Sequence, residues 1–89
     1  MDEIVIVALK NGQIMIGKPQ WDNEENKINA LTSPRIIITK EPDQIRLLEV
    51  YGAPDFIRLD ENPIYTGAVT DKEMIRGYIK ATTSLVLPN

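Results

Sequence analysis

Ile4-Val5-Ile6-Val7-Ala8-Leu9, then Lys10-Asn11-Gly12-Gln13, then Ile14-Met15-Ile16, is the stretch that decides the fold. β-Branched side chains lose χ1 freedom in a helix and pack well on a pleated surface, so a run this rich in Val and Ile predicts a strand covered on both faces. Asn and Gly both tolerate positive φ, and Asn11-Gly12 between two apolar runs predicts a hairpin. The first two strands are therefore expected near residues 3–10 and 13–18 as antiparallel neighbours. Gly17-Lys18-Pro19 ends or bends the second.

Downstream the pattern repeats in shorter pieces. Trp21 to Lys27 is polar apart from its tryptophan and reads as a loop. Ile28-Asn29-Ala30-Leu31 and Ile36-Ile37-Ile38 flank Ser33-Pro34, giving one bent strand or two short ones, because proline has no ladder donor. Lys40 to Asp43 is a turn. Ile45 to Tyr51 fits either a strand or two helical turns, and its β-branched, aromatic end before Gly52 favours the strand. Phe56 to Leu59 is a further extended candidate, broken by Asp60-Glu61-Asn62-Pro63, and Ile64-Tyr65-Thr66 follows. Tyr78 to Leu87 is expected to be an extended terminal strand paired into the sheet. No long stretch carries a helical apolar stripe. The reading is one all-β domain, residues 1–89, built as a small antiparallel barrel.

Composition narrows the function. A chain of 89 residues buries only a modest share of its surface, and with no Cys and no His neither a disulfide nor a Cys/His metal site supplements its core. Oligomerisation is the remaining common remedy. Ten Lys and Arg against thirteen Asp and Glu give a net charge of -3, which opposes non-specific nucleic-acid binding but leaves room for a local site. Absent His and Cys remove the commonest general base and the readiest nucleophile. Ser33 abuts a proline and Ser84 lies in the apolar terminal run, neither in a nucleophile-elbow context. The acidic groups Asp22-Glu24-Glu25 and Asp60-Glu61 do not match a calcium loop and read as solvated turns. No Gly-rich loop leads into a helix with a phosphate-binding Lys. The expectation is a protein that binds or assembles, with no catalytic residue, metal or cofactor. The acidic start and the lack of a long apolar segment predict a soluble, cytoplasmic protein without membrane contact.

Two segments resemble the bipartite signature of the Sm-like family, the small ring-forming RNA-binding proteins that include Hfq. The first is Val5-x-Val7-x-Leu9-Lys10-Asn11-Gly12-Gln13 with Gly17, followed by Trp21-Asp22 and Ile28-Asn29-Ala30-Leu31. The second is Ile75-Arg76-Gly77 with Ile79 and the run to Leu87. The resemblance covers residues 4–31 and 74–87. It implies a strongly bent five-stranded antiparallel barrel, Sm-like or SH3-like, joined edge to edge in a ring of about five to seven subunits. Here the N-terminal helix would be reduced or absent and the connector before the fourth strand, residues 40–73, enlarged. A small acidic chain of this kind also looks like members encoded by bacterial viruses, which places it in a prokaryotic or phage-infected cell.

The same resemblance implies an RNA site at the pore made by Asn29, Arg76, Gly77, Trp21 and Asp22. An amide offers donor and acceptor to a base edge, and a guanidinium stacks on a base and attracts phosphate. Each residue also has a structural reading: Asn29 as a strand-end residue, Arg76 as an ion pair or subunit contact, Trp21 as buried over the barrel or in an interface, Asp22 as a loop anchor, Gly77 as a backbone requirement of the last turn. Two functions follow: a homo-oligomeric ring that binds single-stranded RNA, or a structural ring that binds a protein partner through residues 40–73, with Tyr51, Phe56, Ile57 and Tyr65 on that surface.

Overall fold

A computed structural model describes residues 3–41, 44–53 and 55–83. Six strands and one helix follow in order: β1 Val5–Ala8, β2 Ile14–Asp22, β3 Lys27–Glu41, β4 Gln44–Glu49, β5 Phe56–Arg58, β6 Tyr65–Ala68 and α1 Lys72–Thr82. The strands form one antiparallel sheet in the order β4-β3-β2-β1-β6, with β5 also on β3. Among the described residues no backbone pairing joins β6 to β4 or β5.

The opening hairpin forms as expected. Val5 faces Gly17 and Ala8 faces Ile14 in register, and Gly12 takes φ +91° in the connection. The side chain of Asn11 accepts from the Gln13 N–H at 2.9 Å, which closes the turn locally. β2 then runs further than expected, to Asp22, so Trp21 and Lys27 belong to strands and only residues 23–26 turn. Asp22 Oδ1 accepts from Glu24 N and Glu25 N at 3.0 and 3.3 Å, an Asx turn, and Asn26 takes φ +53°.

β3 is one long strand, bent where Ser33-Pro34 interrupts it. Ser33 adopts φ +51°, and the β2 ladder shifts register between Ile16 and Lys18, opposite this point. Gly17 permits the close approach: a Cβ there would lie 3.1 Å from Leu31 Cβ and 3.3 Å from Thr32 O. β4 pairs with β3 beyond the bend and β5 pairs before it, so the two strands share one side of β3 and a loop crosses the bend between them.

The bent sheet carries apolar side chains on both faces, as its period-two alternation requires. Val5, Val7, Met15, Ile28 and Leu31 form an inner cluster, joined by Leu9, Ile36, Val50, Ile57 and Leu59. Ile4 and Ile16 point the other way and pack with Tyr78, Met74 and Ile75 of α1.

The helix corrects the expected terminal strand. Asp71 caps it, accepting from Glu73 N at 2.9 Å, and Met74, Ile75 and Tyr78 repeat at helical spacing on the face that packs on the sheet. Tyr78 to Thr82 is therefore helical, and the rest of that run, Ser84 to Leu87, lies outside the described residues.

α1 is tied to the bend of β3 by polar contacts as well. The Tyr78 hydroxyl donates to Ser33 O at 2.7 Å, with Thr32 O at 3.3 Å, and Arg35 Nη2 donates to Ala81 O at 3.1 Å near the helix C-terminus. Burial pushes the Tyr78 phenol up to about 12, against the opposing pull of Arg35 and of a backbone hydrogen bond at Lys18.

Candidate nucleic-acid interface

The β2–β3 hairpin and β5 bring Asp22, Lys27, Asn29 and Arg58 to one cleft. Ala30 in β3 has Gln20 as its partner on one side and Arg58 on the other, and Leu59 N donates to Asn29 O at 2.9 Å. The result is a cleft of about 370 Å³ whose lining includes Asp22, Lys27, Asn29, Phe56 and Arg58. That volume lies at the lower end of the range typical of small-ligand sites.

Charge in the cleft is mixed and ordered. Lys27 Nζ lies 2.6 Å from Glu25 Oε2, and this hydrogen bond raises the ammonium above its usual range. Asp22 spends its carboxylate on the turn N–H groups. The Arg58 side chain makes no ion pair among the described residues, and both it and Asn29 are exposed. The cleft thus offers an amide, a guanidinium with open donors and a partly compensated ammonium, beside a half-exposed aromatic ring, Phe56 at 43%.

The expected site residues divide. Asp22 and Asn29 meet in this cleft, on β2 and β3. Arg76 and Gly77 sit on α1, both exposed, and α1 contributes nothing to the cleft lining. Gly77 instead lines a groove between α1 and β4 with Ile45, Leu47 and Met74. It is a mid-helix residue, not the turn glycine of a last strand. Trp21 stands at the end of β2, 45% exposed, with its indole N–H donating to Glu3 Oε1 at 3.0 Å.

Arg58 is a cleft residue that the sequence reading did not single out. Its signal was there: Ile57-Arg58 repeats the step Ile75-Arg76 without the glycine, and it precedes the last strand of the sheet. The glycine of Ile75-Arg76-Gly77 drew attention to a segment that Asp71 and the Met74/Ile75/Tyr78 stripe assign to a helix.

The two outermost strands also carry exposed apolar side chains. Ile45 and Leu48 on β4 are 50% and 42% exposed, and Tyr65 on β6, next to Ile64, is 60% exposed. Among the described residues no helix is long and apolar enough to cross a membrane. Comparison with family models, with curated proteins and with solved structures finds no match to this chain.

Proposed function

We propose that this chain is an Sm-like protein that assembles into a closed homo-oligomeric ring and binds single-stranded RNA in the cleft of Asn29 and Arg58. The observation that carries the reading is the convergence of Asp22, Lys27 and Asn29 of the β2–β3 hairpin with Arg58 of β5, about 30 residues further on. An exposed amide suits a base edge, and an exposed guanidinium with no ion pair among the described residues suits stacking and phosphate at once. In this proposal the bent sheet closes around its inner cluster as a barrel. β4 of one subunit then adds to β6 of the next, satisfying the N–H and C=O groups that an edge strand leaves unpaired and covering the apolar side chains of both edges. Closure of such a head-to-tail contact gives a ring, for which the Sm-like resemblance implies about five to seven subunits. Binding, not catalysis, is the activity.

The net charge of -3 and the exposed Ile45, Leu48, Tyr51 and Tyr65 favour a second reading, a ring that binds a protein partner and no RNA. Solution mass of the native protein, alone and with short A-rich and U-rich RNAs at low salt, separates the two. The first reading expects a ring whose complex with RNA is weakened about 10- to 100-fold by Arg58→Ala, the range for losing a charge-assisted contact. Arg76→Ala is expected to leave it unchanged. A ring indifferent to RNA at low salt leaves only the second reading, because screening no longer explains the failure. A monomer defeats both.

A further inference from the structure

We infer that Tyr65 of one subunit seats in the groove between α1 and β4 of a second copy, a knob and hollow that fix the contact between subunits; this rests on the ring reading above. Residues directly opposite one another across a ladder share a face of the sheet. Gly67 faces Ile6, Ile6 faces Ile16, Ile16 faces Arg35 and Arg35 faces Glu49, one row from edge to edge. Ile16 packs with Tyr78, so this row lies on the face that α1 covers. A step of two residues along a strand keeps the face. Tyr65 of β6 and Ile45 and Leu47 of β4 therefore share it too, at opposite edges.

The two edges have opposite relief. Beside β4 the groove holds about 400 Å³, with Ile45, Leu47, Met74, Gly77 and Ala81 in its lining. Gly77 and Ala81 stand one helical turn apart, and these small residues keep the hollow open. On β6 the Tyr65 ring lies over Gly67, where an added Cβ would be 2.9 Å from Cζ of the ring, and Tyr65 is 60% exposed. The chemistry matches as well. Asp71 and Glu73 also line the groove, so a phenol seated on its apolar residues finds carboxylates to accept from its hydroxyl. Lys10, two residues past the Ala8 that faces Tyr65, is exposed and brings a positive charge toward that acidic lining. A buried tyrosine contributes about 150–250 Å², a sizeable part of the about 800 Å² per partner of a standard interface. Ile64, Ile45 and the two open strand edges supply more. Because one chain carries the knob at one edge and the hollow at the other, the fitting occupant is a second copy, joined head to tail.

The test is solution mass against dilution for the full chain, as wild type, Tyr65→Ala and Gly77→Leu. Leucine fills the hollow and favours a helix, so Gly77→Leu probes the groove with the fold kept, which circular dichroism checks. Each variant is expected to need about 10- to 100-fold more protein to assemble. Mixed in equal amounts, the two variants retain one intact contact, Tyr65 of the Gly77→Leu chain in the groove of the Tyr65→Ala chain. A heterodimer without a ring is expected. If the wild type is a ring and both variants assemble at its concentration, the inference is overturned while the ring reading stands. The groove then has another occupant, the residues beyond Thr83 or a different protein. Weakening by Tyr65→Ala alone places Tyr65 in some other contact and overturns the inference too. A monomeric wild type overturns both.

Discussion

The two faces of the bent sheet are finished by different means. On the inner face Val5, Val7, Met15, Ile28 and Leu31 pack together, and Val50, Ile57 and Leu59 from the second half of the chain pack against them. The outer face relies on one short helix and, within it, on one fully buried ring, Tyr78. Many side chains share the inner task, whereas the outer one is concentrated. The inner cluster therefore behaves as the common core, and α1 as a docked part held by a few contacts at the bend of β3.

Substitutions sharpen or break that contrast. Tyr78→Ala removes the only buried side chain of α1 and is expected to cost about 3–5 kcal/mol, seen in urea unfolding. Leu31→Ala, wholly buried in the inner cluster, is expected to cost about 2–5 kcal/mol. The two differ in what hydrogen exchange reports. Tyr78→Ala should expose the α1 amides first, while Leu31→Ala should lower protection across β1, β2 and β3 together. Equal loss everywhere for both variants would show that the helix is no less integral than the sheet.

Tyr78→Phe keeps the ring and deletes the hydroxyl that Ser33 O accepts. About 1–2 kcal/mol is expected to be lost. The same hydroxyl gives a pH signature. Tyr78 ionises near 10.0 when unfolded and at about 12 when folded, so the folded state holds this proton more tightly. The stability it contributes is complete below the unfolded value and disappears as pH rises through the folded one. The urea midpoint should therefore fall across that alkaline window, and Tyr78→Phe should fall less. The smallest effect has the opposite sign. Gly77 sits inside α1, where a methyl group would meet none of the described residues beyond its own helix turn and neighbours, so Gly77→Ala is expected to stabilise by about 0.5–1 kcal/mol. Destabilisation by Gly77→Ala would contradict the helical assignment of this segment.

The first half of the fold was legible because local chemistry and tertiary position agree there. The Val/Ile run with Asn11-Gly12 forms the hairpin it predicts, and Gly17 and Ser33-Pro34 mark the bend. The second half was less legible because two signals of α1 conflict. Ile75, Ile79, Thr82 and Thr83 favour extension and Gly77 weakens a helix, yet the Asp71 cap and burial of Tyr78 prevail. As a result Arg76, expected beside Asn29, lies on α1, and the cation that shares the cleft with Asn29 is Arg58. Asp22 is a cleft residue because it pairs with Lys27 at the hairpin end, a register set by the turn, whereas Asn29 falls at the register shift between the Trp21–Ile28 and Gln20–Ala30 pairs. Arg58 depends on β5, a strand of three residues placed only by its pairing with β3. Nothing local announces so short an element.

The pairing of β1 with β6 sets an order of events. Val5 waits for Ala68, about 60 residues later, before its second edge is satisfied, while its hairpin with β2 needs only the next dozen. During synthesis the Val-Ile-Val strand has one partner early and one open flank until the last strand emerges. Closing that distant pair is the longest loop closure among the strand pairings and is expected to set the folding rate. A circular permutant that places β6 directly before β1 should fold faster at similar stability, and a nascent chain arrested before Ile64 should be the form most prone to aggregate.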